Sequence, residues 1–286
     1  MRKAKIFKAP RWNNCGSQTE TQIRLREWYR QLPGRLLLEK ENELIRDALP
    51  TLFGYHLLKI GITDDNNSLR ASRISHRMVM DRDNTVEYSN PEGDESDASI
   101  KRGLQGSADN LPFSADTLDV VVLNHTLEFS KNPHQVLREV DRALIPEGHV
   151  LVLGFNPNGL WLIWRLLLGW KSKPPWCGRF IRPARLRDWL QLLGYDIIES
   201  HYYFYRPPLN SQKMLKRLRF LERLGRFAWT PLSGAYIMVA RKRVATITPL
   251  KPRWHLRRRA IASPELARNS PLTQTVLTPQ EDSDIT

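Results

Sequence analysis

LQGSADNLPFSADTLDVVVLNHTLEFSKNPHQVLREVDRALIPEGHVLVLGF, residues Leu104 to Phe155, alternates apolar runs and polar loops in the order strand, loop, strand, helix, turn, strand. The apolar run Leu118 to Leu123, broken only by Asp119, is short, β-branched and bounded by polar loops, the pattern of a strand buried on both faces. Asn132-Pro133 opens a helix in which Val136, Leu137, Val140, Ala143 and Leu144 recur at helical spacing, and Pro146-Glu147-Gly148 closes it. His149 to Phe155 is then a second apolar strand. A βαβ unit crosses over right-handed, so the C-termini of both strands lie on one edge of a parallel sheet, where function is expected.

Working outward, Thr19 to Leu32 and Leu36 to Leu49 predict two amphipathic helices, the first stopped at Pro33-Gly34 and the second carrying Glu39, Glu41 and Glu43. Tyr55 to Ile60 is expected as the first strand, ended by Gly61; Arg77 to Met80, ending in Asp81, as the second; and Leu104 to Ser107 as the third. Residues Asn90 to Ser99 are acidic with hardly an apolar side chain and predict a solvated loop. After Phe155 the pattern gives an apolar helix over Leu160 to Leu168 and a helix from Pro183 capped by Gly194. Strands follow over Tyr195 to Tyr205 and Ala235 to Ala240, the last inserted antiparallel, with a basic helix or loop over Lys213 to Arg226 between them. The fold class is therefore α/β: a three-layer Rossmann-like sheet of about seven strands with N-terminal helices. The organisation is a basic extension over 1–18, one domain over 19–243 and a disordered basic tail over 244–286.

The formal charge of +14 is unevenly spread. Nine basic and two acidic residues fall in the first 35, and nine and four in 241–286, so the flanks hold most of the excess and the core is nearer neutral. Contact with a polyanion through the flanks is the partner class this implies. Cys15 and Cys177 form no metal-binding or disulfide-framework spacing and read as reduced thiols of a cytoplasmic protein. Val150 to Trp170 is apolar except for Arg165, but Asn156-Pro157-Asn158-Gly159 splits it into pieces too short to span a bilayer, so no transmembrane segment is expected.

Ser107-Ala108-Asp109-Asn110-Leu111-Pro112-Phe113, the strand after it, and Arg142-Ala143-Leu144-Ile145-Pro146-Glu147-Gly148 together resemble the class I S-adenosylmethionine-dependent methyltransferases of the type 11 group. The segment Trp176 to Ile181, WCGRFI, is similar to one in a set of bacterial methyltransferase-like proteins. The resemblance implies S-adenosyl-L-methionine as cofactor, Asp109 accepting from its adenine amine beside Ala108, Asn110 and Leu111, and Asn124 and His125 facing the sulfonium and the acceptor. Gly61 takes the place of the first glycine of the cofactor loop. Asp81, about 20 residues further on, stands where an acid meets ribose hydroxyls, with Asp83 as competitor. The sequence departs from the pattern where Lys59 replaces the strand-one acid and Thr63 and Asp65 replace two glycines, since side chains there crowd the cofactor.

The implied activity is methyl transfer to an unidentified acceptor, a small molecule being favoured. Asn124-His125-Thr126-Leu127 lacks the Pro-Pro-aromatic grip of base-amino methyltransferases, and Cys177 is misplaced for cytosine chemistry. His125 is the candidate general base because its ordinary pKa is near neutral, with packing as the competing role. Two readings stand beside this one. In the first, a degenerate fold with weak or no cofactor binding acts as a binding module for RNA or another polyanion. In the second, Leu160 to Lys173 touches a membrane surface.

Overall fold

The computed structural model describes residues 17–61, 67–81, 100–168, 174–208, 212–217 and 232–243. The expected acidic loop, most of the basic N-terminal extension and the C-terminal tail lie outside these residues. Two helices come first, α1 (Gln18–Arg30) and α2 (Leu32–Ala48). The backbone N–H of Gln31 closes α1 on the carbonyl of Trp28, and Pro33 sits in the first turn of α2. Pro33-Gly34 therefore starts the second helix rather than stopping the first, because proline lacks only an N–H that the first turn leaves unpaired anyway.

The strands are β1 (His56–Gly61), β2 (His76–Asp81), β3 (Ile100–Gln105), β4 (Leu118–Asn124), β5 (Leu144–Phe155), β6 (Tyr195–Tyr203) and β7 (Ala235–Lys242). They form one seven-stranded sheet in the order β3-β2-β1-β4-β5-β7-β6, with β7 antiparallel to both neighbours. β3 ends at Gln105, so Gly106 and Ser107 belong to the loop after it. β5 begins at Leu144, four residues before the expected Pro-Glu-Gly turn is complete; a register shift between Leu118 and Val120 absorbs that turn at the margin of the sheet. Asp119, the one polar interruption of the β4 run, accepts the backbone N–H groups of Tyr55 and His56 at 3.0 and 2.9 Å and so anchors the start of β1.

Alternation along each strand divides the core in two. Leu57, Val120, Val122, Leu151 and Leu153 face Leu25, Leu37 and Ile45 of α1 and α2 and Trp161 of α5 (Trp161–Leu168). Leu58, Val121, Leu123, Val150 and Val152 face the other way. They pack on Val136, Leu137 and Val140 of α4 (Pro133–Ala143) and Leu186 and Leu190 of α6 (Pro183–Leu192). α4 is capped by Asn132, whose side chain accepts from the N–H of Gln135. A short α3 (Thr126–Phe129) follows β4, and α7 (Gln212–Arg217) lies between β6 and β7. Among the described residues no helix is long and apolar enough to cross a membrane. Cys177 is buried and disulfide-bonded, which corrects the expectation of two reduced thiols; Cys15 lies outside the described residues. The sheet order reverses between β1 and β4, and it is beyond the C-terminal ends of such a pair that an open α/β sheet leaves a crevice.

Candidate active site

That crevice is present. Gly61 and Asn124 end β1 and β4 side by side, in register, and the cleft above them is walled by Met80, Asp81, Ala108, Asp109, His125 and Phe129, with Gln22 of α1 reaching in from above. Six of the expected site residues therefore meet: Gly61, Asp81, Ala108, Asp109, Asn124 and His125. Asn110 and Leu111 do not line it. Asn110 is exposed and pairs with Ser107 across a tight turn, and Leu111 is buried in the core with α4. Glu39, Glu41 and Glu43 do not form a uniformly solvated face either, because Glu41 is fully buried.

The loop that carries Asp109 is held from α4. Arg142 donates to the carbonyls of Phe113 and Leu111 at 2.8 and 3.1 Å, and Glu139, paired with Arg142, accepts the N–H of Leu111. Ser107 donates its hydroxyl to the Asp109 carboxylate. The helix of the opening stretch thus fixes the loop of the same stretch. At the neighbouring strand end Asp81 is buried and ion-paired with Arg26 of α1, so the carboxylate expected at ribose hydroxyls is shared with a guanidinium.

His125 departs most from expectation. Its backbone is left-handed, with φ 49°, and its ring stacks on Phe155 with centroids 4.0 Å apart. Nδ1 lies 2.8 Å from Glu128 and Nε2 2.9 Å from Glu41, and all three side chains are buried. Burial works against a charge here, but the carboxylates of Glu41 and Glu128 outweigh it and raise the pKa to about 10. The ring is an imidazolium with both N–H groups engaged, and it has no lone pair to take a proton. The general-base expectation is corrected accordingly: His125 is a clamped cation joining α2, β4 and α3. Glu128 also accepts the N–H of Phe155, and the hydroxyl of Tyr203 donates to Glu41 at 3.5 Å.

The sign of the resulting pH dependence follows from a folded pKa above the unfolded one. Stability contributed by this proton is complete below about pH 6.5 and is lost as the pH rises towards 10. Urea unfolding at pH 6 and pH 9.5 is expected to show a larger loss for the wild type than for His125→Gln. Equal losses would remove the clamp from the account of stability.

Residues 68–152 match the model of a methyltransferase domain of the type 11 family. Over these residues the chain is similar to a methyltransferase domain, and its sheet has the class I methyltransferase fold. The match begins beyond β1 and the loop in which two glycines are replaced. The chain is also 28% identical over 222 residues to the uncharacterized protein YafS of Escherichia coli K12, covering 76% of this chain and 82% of that protein. Two solved structures share the fold. A chain from the complex of the Haloferax volcanii Trm112 methyltransferase activator superposes with a TM-score of 0.52 at 17% identity, covering 71% of this chain and 88% of its own. An S-adenosylmethionine-dependent methyltransferase from Mesorhizobium loti does so with a TM-score of 0.50 at 13% identity, covering 70% and 96%.

S-adenosylmethionine is the cofactor of such domains, and the cleft of this methyltransferase domain has polar groups that fit it. Both side-chain polar atoms of Asn124, a residue only 2% exposed, lack a hydrogen-bond partner, as does Oε1 of Gln22. An unpaired buried amide costs about 1–3 kcal/mol, which a ligand carrying donors and acceptors removes. Lys59, in the acidic position of the pattern, is fully buried and engaged on the α1–α2 face of the sheet, and it is not among the residues lining the cleft. Thr63 and Asp65 lie outside the described residues.

Sequence reasoning passed over Glu41, Glu128 and Arg26. The only local signal was a glutamate at i+3 from a histidine. The partners of Glu41 and Arg26 are 84 and 55 residues away along the chain.

Proposed function

We propose that the protein transfers a methyl group from S-adenosylmethionine to a small-molecule acceptor in the cleft at the ends of β1 and β4. The observation that carries this reading is the unpaired, buried amide of Asn124 beside Asp109 in that cleft. When bound, the cofactor supplies an electrophilic methyl on a sulfonium. In that cleft Asp109 would hold the adenine amine, Asp81, paired with Arg26, would meet the ribose, and Asn124 would orient the groups next to the sulfonium. With His125 holding its proton, the cleft contributes alignment and exclusion of water rather than proton abstraction. An acceptor already carrying a lone pair at neutral pH suits such a site.

Calorimetric titration of the full chain with S-adenosylmethionine is expected to give saturable binding. Asn124→Ala and Asp109→Ala should each weaken it about tenfold, the value of one hydrogen bond to a polar ligand, near 1.4 kcal/mol. Absence of heat at millimolar cofactor would overturn the reading. The polyanion-module alternative rested on the basic flanks, most of whose cations lie outside the described residues, and no observation in the cleft favours it.

A further inference from the structure

We propose, on the reading of the cleft as an S-adenosylmethionine site, that Thr126 is a positioning residue: its hydroxyl ties the ends of β1 and β4 together and so aims the Asn124 amide. Thr126 is the first residue of α3 and lines the cleft with Gly61 and Asn124. Its Oγ1 lies 2.9 Å from the carbonyl oxygen of Ile60 and 3.3 Å from that of Asn124, and donates to both. One acceptor is the penultimate residue of β1 and the other the last residue of β4. A single proton is therefore shared between the two strands at which the sheet order reverses.

The local backbone explains how the hydroxyl comes to be there. His125, with φ 49°, turns the chain from strand to helix in one residue. Its ring goes to Glu41 and Glu128, and the next side chain falls back over the end of β1. Threonine suits the position because its branched Cβ restricts χ1 and keeps the hydroxyl aimed. The Asn124 carbonyl that it holds is also the one that lies against Gly61, where a Cβ would stand 2.2 Å from the oxygen.

Asn124 is the group that needs holding. It is buried, and neither polar atom of its amide has a partner, so no side-chain bond fixes its direction. Its aim is set by the backbone of β4, and both ladders of that strand end at Asn124, paired with Gly61 on one side and Leu153 on the other. On the β5 side the N–H of His125 carries the pairing one residue further, to the carbonyl of Leu153 at 3.2 Å. On the β1 side the hydroxyl of Thr126 makes the corresponding link. Hydrogen bonds weaken steeply with angle and distance, so a small displacement of this strand end misdirects the amide.

Calorimetric titration of the full chain with S-adenosylmethionine tests the proposal through Thr126→Val, which keeps the shape of the side chain and removes its proton. Affinity should fall about fivefold, the value of one hydrogen bond, and Thr126→Ser should recover most of that loss. In an Asn124→Ala background Thr126→Val should change the affinity less than about twofold, because the group it aims is gone. Thr117→Val is the control. The hydroxyl of Thr117 also donates to two carbonyls, those of Ser114 and Ala115 at 3.0 and 3.2 Å, but at the opposite end of β4 from the cleft. Its loss should lower the melting midpoint and leave cofactor affinity unchanged. If Thr126→Val does not fold, Thr126→Ala takes its place in the same cycle. A wild type that binds no S-adenosylmethionine overturns the proposal together with the reading of the cleft. A wild type that binds, with an affinity that Thr126→Val leaves unchanged, overturns the proposal alone. So does a loss of equal size with and without the Asn124 amide, which would mean that the hydroxyl meets the cofactor itself.

Discussion

Glu41→Ala is expected to lower the melting midpoint by about 10 °C, the consequence of losing about 3 kcal/mol in a domain of this size. Glu41 is fully buried at the middle of α2, accepts the Nε2–H of His125 at 2.9 Å and accepts from Tyr203. Its removal leaves an imidazolium answered only by Glu128 and a buried phenol without its acceptor. Breaking one side of a buried ionic group costs far more than the group as a whole is worth, because the remaining charge stays desolvated. The pair is therefore best measured with a double-mutant cycle in which His125→Phe removes the cation. The double variant should recover part of the loss, giving a coupling above 1 kcal/mol. Strictly additive losses would show that Glu41 acts by packing alone. Cofactor titration of the same variants separates a structural clamp from a cleft group: S-adenosylmethionine affinity measured on folded protein should follow stability, not the ionisation of His125.

Gly61→Ala should be the most damaging single methyl in the cleft. Gly61 has φ 131°, and a Cβ built on it would stand 2.2 Å from the backbone carbonyl oxygen of Asn124, its register partner on β4. Neither strand end can give way cheaply, since both are central in the sheet. Strain at the backbone and overpacking against a carbonyl together should cost about 3 kcal/mol. Displacement of Asn124 should also weaken S-adenosylmethionine binding at least tenfold, about the value of one hydrogen bond. Gly194→Ala is the control. It too has a positive φ, 85°, but an added Cβ would meet nothing closer than 3.7 Å, so only the backbone term of about 1 kcal/mol is expected and cofactor binding should not change. Equal effects at the two sites would mean that the first glycine serves conformation and not close approach.

The elements legible in the sequence were those whose cause is local. The β4 run announced itself by β-branched residues between polar loops, and α4 by Asn132-Pro133 and a periodic apolar face. The cleft residues Asp109 and Asn124 were legible because each sits at a strand end that the βαβ geometry sends to one edge. Errors fell where a local signal has two meanings. Pro33-Gly34 reads as a stop and is a start; Pro146-Glu147-Gly148 reads as a turn outside the sheet and is absorbed at its margin. Asn110 and Leu111 were adjacent to a cleft residue in sequence, and adjacency alone does not decide which side chain faces a cleft.

The strands, the right-handed crossover and the edge on which the cleft opens were legible from the residues alone, because hydrophobic period and right-handed connection are properties of short segments, whereas the strand order came from the fold. Only the tertiary structure decided the charge state of the site. A lone histidine near neutral pKa became a held cation because Glu41 arrives from 84 residues away, and the expected ribose acid became half of an ion pair because Arg26 arrives from α1. Electrostatic energy depends on distance in space and on exclusion of water, and neither quantity is written in the spacing of residues along the chain.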